Sequence, residues 1–129
     1  MKKIFKKILN FILSIIVNFL SKFNYGRYVL EKIQSDMSEL KKEIIHNDQK
    51  LTFYVPSRMC FYRAETFSTK EPKTLSWIDS FEKNCSFWDI GANIGIYSCY
   101  AAAKKNANVI AFEPSSFNSD LLAKNIFVN

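Results

Sequence analysis

Glycine is scarce in this 129-residue chain, and so is proline, with three of each. That excludes collagen-like and low-complexity architectures. Cysteine is equally sparse: Cys60, Cys85 and Cys99 are odd in number and show no C-x-x-C spacing. A disulfide scaffold and a structural zinc site are both disfavoured, and a reducing compartment fits. The single histidine, His46, has no partners with which to build a metal site. Acid is missing from the first 30 residues, where Lys2, Lys3, Lys6, Lys7, Lys22 and Arg27 stand unopposed. They account for the whole formal net charge of +6, because the remaining residues balance. The basic character therefore belongs to one segment whose cations flank an oily run. A nucleic-acid face spreads its cations over polar surface instead, and no nucleic-acid partner is expected.

What remains is a chain built to bury a core. Hydrophobic residues make up 48% and charged residues 23%, and aromatics reach 16% through twelve Phe. That suits one modest domain and not two.

Residues 1–24 form the first expected segment. Lys3, Lys7, Asn10, Ser14, Asn18 and Ser21 step by 4, 3, 4, 4 and 3, so they draw one polar stripe along an otherwise apolar helix. The oily part, Ile8 to Leu20, would be roughly 20 Å long against a hydrocarbon core of about 30 Å. Residues 1–22 therefore suit a membrane surface, with lysines toward anionic headgroups, better than a span. Three other arrangements are open: a helix packed on its own domain or a partner, a short tilted anchor, and a signal peptide. The signal peptide lacks a small-x-small cleavage pattern after Leu20. Localisation is expected to be cytoplasmic, peripheral at the inner membrane face. Residues 25–50 are expected to form an amphipathic helix or linker. Leu30, Ile33, Met37, Leu40 and Ile44 step by 3, 4, 3 and 4, predicting a helix from about Arg27 to His46.

Residues 51–129 form the third segment. Leu51–Val55 and Met59–Tyr62 predict a short β-hairpin around Pro56-Ser57-Arg58. Pro72 opens a predicted helix of about eleven residues. Ser86–Ile90 then reads as a buried strand running into Gly91-Ala92-Asn93-Ile94-Gly95, followed by a helix over Tyr97–Lys105. A second strand, Asn108–Phe112, leads into Glu113-Pro114. A last helix follows, capped by Ser115 or Ser116, with Phe117, Leu121, Leu122 and Ile126 inward. Strand, helix, strand, helix with short joints is a parallel βαβα unit of an α/β fold.

The glycine turn has a mechanical meaning. Gly91 and Gly95 permit backbone angles and close approach that a Cβ forbids, and the helix start offers free N–H groups to an anion. Glu113 follows Asp89 by 24 residues, at the end of the second strand, where a carboxylate can accept from both ribose hydroxyls. Phe112 and Pro114 could pack on an adenine. The dinucleotide fingerprint G-x-G-x-x-G is not met, because Asn93 and Ile96 stand at its second and third glycines. The make-up of S-adenosylmethionine fits better than a pyrophosphate: Asp89 suits an amino group or sulfonium. The plainer alternative is a packing turn, with Glu113 capping the next helix.

FWDIGANIGIYS (Phe87–Ser98) and VIAFEPSSFNSDLLAKNI (Val109–Ile126) resemble the FkbM family of S-adenosylmethionine-dependent methyltransferases. The lead-in Arg63–Phe81 resembles one branch. The resemblance implies the N-terminal part of a Rossmann-like class I methyltransferase fold, preceded by two helices and a short hairpin. It places Asp89, Gly91, Ala92, Asn93 and Gly95 at the methionine end of the cofactor, Glu113 on the ribose, and Pro114 and Ser115 beside the adenine. Glu71 and Thr74 would reach the cofactor side. The implied reaction is O-methylation of a sugar, glycan or small-molecule hydroxyl; the catalytic base is not identified. Family members continue through several more strands. The expectation is thus a cofactor half with an incomplete sheet, aggregation-prone and inactive alone, wanting a C-terminal half or self-association. An inactive membrane-associated remnant, or an interaction module with a vestigial nucleotide turn, is the alternative.

Overall fold

A computed structural model describes residues Lys2 to Asn129. The chain divides into two compact units, one ending at Ser38 and the other running Glu39–Asn129.

The first unit is two helices, α1 (Lys2–Leu20) and α2 (Asn24–Ser38). They meet at a tight corner where Gly26 lies on the Leu20 carbonyl: a Cβ there would stand 2.1 Å from its oxygen. The Arg27 Nε donates to the Ser21 carbonyl at 2.7 Å and closes the same corner.

The second unit begins with a correction. The predicted helix to His46 stops at Ser38, and Lys41–His46 is instead a strand, β1, paired antiparallel with β2 (Gln49–Tyr54). Alternation wins over the heptad: Lys42, Ile44 and His46 are half-buried while Lys41, Glu43 and Ile45 are exposed. The two-residue turn is Asn47-Asp48, with φ of 43° and 64°. Paired positive φ matches strand twist, and Asn and Asp tolerate it. The hairpin is therefore β1–β2. The expected second strand, Met59–Tyr62, is helical and belongs to α3 (Arg58–Glu65). Ser57 caps that helix, its hydroxyl accepting from the Cys60 N–H at 3.2 Å.

A short turn of helix, α4 (Phe67–Lys70), leads to α5 (Pro72–Asp79), which is eight residues long with Pro72 in its first turn. Then come β3 (Ser86–Ile90), α6 (Ile96–Lys105), β4 (Asn108–Phe112) and α7 (Ser116–Val128). β3 and β4 pair in parallel, with Trp88 opposite Ile110 and Ile90 opposite Phe112. Helix α6 packs against β2, β3, β4, α5 and α7. Four consecutive residues, Ser98 to Ala101, are buried; on a helix that requires neighbours on more than one side. The core gathers Leu51, Phe53, Phe67, Leu75, Ile78, Phe87, Ile94 and Tyr100 around it. Below Tyr100 a polar tie closes the bottom: its hydroxyl donates to Asp79 at 2.6 Å, and Asn47 Nδ2 donates to the same carboxylate at 2.8 Å.

Helix α7 corrects a third expectation. Leu122 is buried and Leu121 packs on the core, but Phe117 is 84% exposed and Ile126 also lies outside. The buried stripe is completed by a polar residue, Asn125. Its Oδ1 accepts from the Tyr54 N–H at 2.8 Å, and its Nδ2 donates to the Ile94 carbonyl at 2.7 Å. One side chain thus satisfies backbone groups of β2 and of the glycine turn.

One face of the parallel pair is uncovered. Phe87 is buried and Asp89 half-buried, whereas Trp88, Ile90, Ile110 and Phe112 are 46% to 77% exposed. Parallel strands are ordinarily covered on both faces.

Replacing Asn125 by Leu would leave the buried Ile94 carbonyl and the partly buried Tyr54 N–H without partners. At roughly 1–3 kcal/mol each, the expected loss is about 2–6 kcal/mol, read as a lower urea midpoint. Asn118→Ala, at a partly exposed site, is expected to cost under about 1 kcal/mol.

Candidate functional site

The site is the joint between β3 and α6. Both Gly91 and Ala92 donate their N–H groups to the Phe112 carbonyl, at 2.8 and 3.0 Å, which pins the turn to the end of β4. The chain then reverses through three left-handed residues: Gly91 at φ 83°, Asn93 at 55° and Gly95 at 81°. Gly95 N–H donates to the Ala92 carbonyl at 2.8 Å, and α6 starts at once.

The two glycines serve different ends. A Cβ on Gly95 would lie 2.4 Å from Leu122 Cδ1, so this position keeps α7 close. A Cβ on Gly91 would meet nothing within 4 Å. Gly91 thus borders open space, and its left-handed φ alone restricts what can stand there.

Glu113 joins the two strand ends. Its Oε2 accepts from the Asn93 N–H at 2.7 Å, and its Oε1 accepts from the Ser115 N–H at 2.9 Å and from Asn118 Nδ2 at 3.3 Å. The acid and the glycine turn are therefore on the same side of the sheet and in direct contact. These donors hold the carboxyl below its ordinary pKa, the Ser115 N–H most, against some desolvation. The Asn93 N–H, the Asn118 amide and the Arg63 charge add to the effect. Ser115 sits at the α7 N-cap position without a side-chain cap bond, and Pro114 is exposed beside it.

Asp89 faces α6 and accepts from Ser98 Oγ at 2.5 Å. Burial, with the Asp89 charge second, pushes the Cys99 thiol up to about 12, so this cysteine stays a neutral thiol. Glu71 reaches the same region. Tyr97 is raised to about 12 by burial first and then by Glu71, with Asp89 contributing, and Thr74 Oγ1 lies 3.4 Å from Glu71 Oε2. Asn93 carries the unusual atom: its Oδ1 is buried and has no hydrogen-bond partner among the described residues. Buried acceptors are rarely left so.

Of the residues expected from the sequence, Asp89, Gly91, Asn93, Glu113 and Ser115 lie together around one turn. Ala92 and Gly95 sit in it with their N–H groups already used, and both are buried. Phe112 projects onto the uncovered sheet face, 6.0 Å from the Trp88 ring. Sequence reasoning missed Ser98, Asn118, Asn125 and Arg63. Each is a polar residue on a helix, which pattern alone assigns to solvent. Among the described residues no three His, Cys, Asp or Glu side chains gather as a metal site would require.

With this geometry in view, the likeness to known proteins has a place to act. The chain is 40% identical over 48 residues to the hexuronic acid methyltransferase AglP of Haloferax volcanii. The match covers 37% of this chain and 19% of that protein, so it spans about a fifth of the relative's length. No family profile matches the chain, and no solved structure matches it. Over the matched stretch the chain is related to a methyltransferase.

The lowered pKa of Glu113 has a sign. The folded chain holds fewer protons there than the unfolded chain, so this contribution is complete above the ordinary carboxylate range. It is lost as pH falls through the lowered pKa. In Glu113→Gln the titrating group is gone, and acid unfolding is expected to have a shallower limb than in the parent, followed by far-UV circular dichroism from pH 7 downward.

Proposed function

We propose that residues 39–129 bind S-adenosylmethionine and serve methyl transfer to oxygen, with a hydroxyl of a sugar, glycan or small molecule as acceptor. The observation that carries this reading is the Glu113–Asn93 contact. It puts an acceptor for hydroxyls, an open glycine edge and an unpartnered buried carbonyl oxygen at one turn. The residues fit the group. Gly91 leaves room for close approach, Asn93 Oδ1 can accept from an amino group, and Glu113 can accept from ribose hydroxyls. Asp89, an acid on β3 just before the turn, favours a cationic centre and repels a pyrophosphate. The relationship to a hexuronic acid methyltransferase supports both the reaction and the sugar class.

When bound, the cofactor supplies an electrophilic methyl group on sulfonium. The chain's own part is to orient it: Glu113 fixes the sugar end, and the left-handed turn sets the distance between that end and Asp89. Alignment of this kind is a large share of what an enzyme contributes to a displacement. The fold this implies is the cofactor half of a Rossmann-like methyltransferase, with β3 and β4 as its first two strands and FkbM-type proteins as its kin.

A second reading has its own support: three hydrogen-bond donors already converge on Glu113, so the acid could serve only to clasp the turn. Titration calorimetry with S-adenosylhomocysteine separates the two. Saturable binding is expected, weakened at least tenfold in Glu113→Ala, as loss of charge-assisted bonds implies, and abolished in Gly91→Val. Absence of binding by the folded parent refutes the cofactor reading and leaves the clasp; unchanged affinity in Glu113→Ala removes the ribose role from Glu113 and leaves that residue the clasp alone.

A further inference from the structure

Helix α1 buries none of its residues. Ile4, Phe5, Ile8, Leu9, Phe11, Ile12, Leu13, Ile15, Ile16, Val17 and Phe19 are all exposed, more contiguous apolar surface than a protein leaves in water without a use for it. Placed at helical spacing, these side chains cover an arc of about 240° centred near Ile12, opposite the polar stripe. No helix among the described residues is long and apolar enough to cross a membrane.

Charge decides what covers α1. Lys2, Lys3, Lys6 and Lys7 crowd its N-terminal turns, and Lys22 and Arg27 follow its C-terminal end. Pairing α1 with a second α1, parallel or antiparallel, would set cation against cation, which costs binding. The four lysines also stand at the wrong end of the helix dipole, with no acid in the first turn; in water they oppose the helix they belong to. An anionic surface at that end reverses both penalties. A broad arc, unlike a narrow row of anchors, asks for no matching groove and suits a fluid hydrocarbon boundary.

From this we propose that α1 lies in the plane of an anionic lipid surface, its Ile12-centred face in the acyl boundary and its lysines among the headgroups. This stands apart from methyl transfer, and its test reads no activity. The full chain is mixed with vesicles of phosphatidylcholine alone or with about 30% phosphatidylglycerol and floated through a density gradient. The parent is expected to float with the anionic vesicles and to bind neutral ones much less. Since a lysine near such a surface is worth roughly fivefold in partitioning, changing Lys2, Lys3, Lys6 and Lys7 to Gln should weaken anionic binding at least thirtyfold. Ile12→Glu should remove it, and Ser14→Gln, on the polar stripe, should leave it unchanged. Neither Ile12 nor the lysines support the core, so these variants should keep the parent's urea midpoint without lipid. Flotation that survives Ile12→Glu or the four-lysine change overturns the proposal. So does a parent that stays at the bottom, whether monomeric or as an oligomer that Ile12→Glu dissolves.

Discussion

A single buried amide, Asn125, holds the second unit together where three elements meet. Helix α7 presents it to the last residue of β2 and to the turn that opens α6, and it satisfies a donor on one and an acceptor on the other. An apolar residue there would pack as well but strand the buried Ile94 carbonyl and leave the half-buried Tyr54 N–H without its partner. The turn can then keep its left-handed residues in fixed places, because its carbonyl at Ile94 is tied from behind and its amide at Asn93 from in front. Leu122, one turn earlier on the same helix face, packs where a Cβ on Gly95 would stand. Site geometry and core packing are thus parts of one arrangement.

Much of the βαβα unit was visible in the sequence because its signals agree. The run SFWDI is short, apolar and bounded by glycine, and the residues after Gly95 are helix formers, so period and punctuation coincide. The acid after NVIAF was legible for the same reason. Elsewhere signals competed. The seam Leu30, Ile33, Met37, Leu40, Ile44 runs smoothly through Ser38, and only the hairpin partner, Gln49–Tyr54, reveals that Lys41–His46 alternates instead. Asn47-Asp48 is the turn signal that resolves it, weaker than a glycine pair. At Met59–Tyr62 the Pro56-Ser57 pair looked like a hairpin bend, though Ser57 is a helix cap. Ser98, Asn118 and Asn125 were out of reach, since a polar residue on a helix declares its partner only when another element arrives.

The parallel pair and the N-terminal helix pose the same physical problem in different forms. Trp88, Ile90, Ile110 and Phe112 make an exposed apolar face of the kind that doubly wound sheets cover with helices. The 48 matched residues amount to a fifth of the methyltransferase they resemble, which contains far more chain than these two strands. The apolar arc of helix α1 is broad and flanked by cations, with no sheet register for a partner to match. The two surfaces call for different kinds of neighbour.

The Glu113 clasp carries one more implication. A carboxylate offers about four lone-pair directions, and three are occupied by the Asn93 N–H, the Ser115 N–H and the Asn118 amide. A visitor presenting two hydroxyls must evict one tenant, and the Asn118 bond is the longest at 3.3 Å. Occupancy and local order are then reciprocal quantities: whatever tightens the latch on the turn slows admission, and each departure is helped by the protein's own donors returning to their seats.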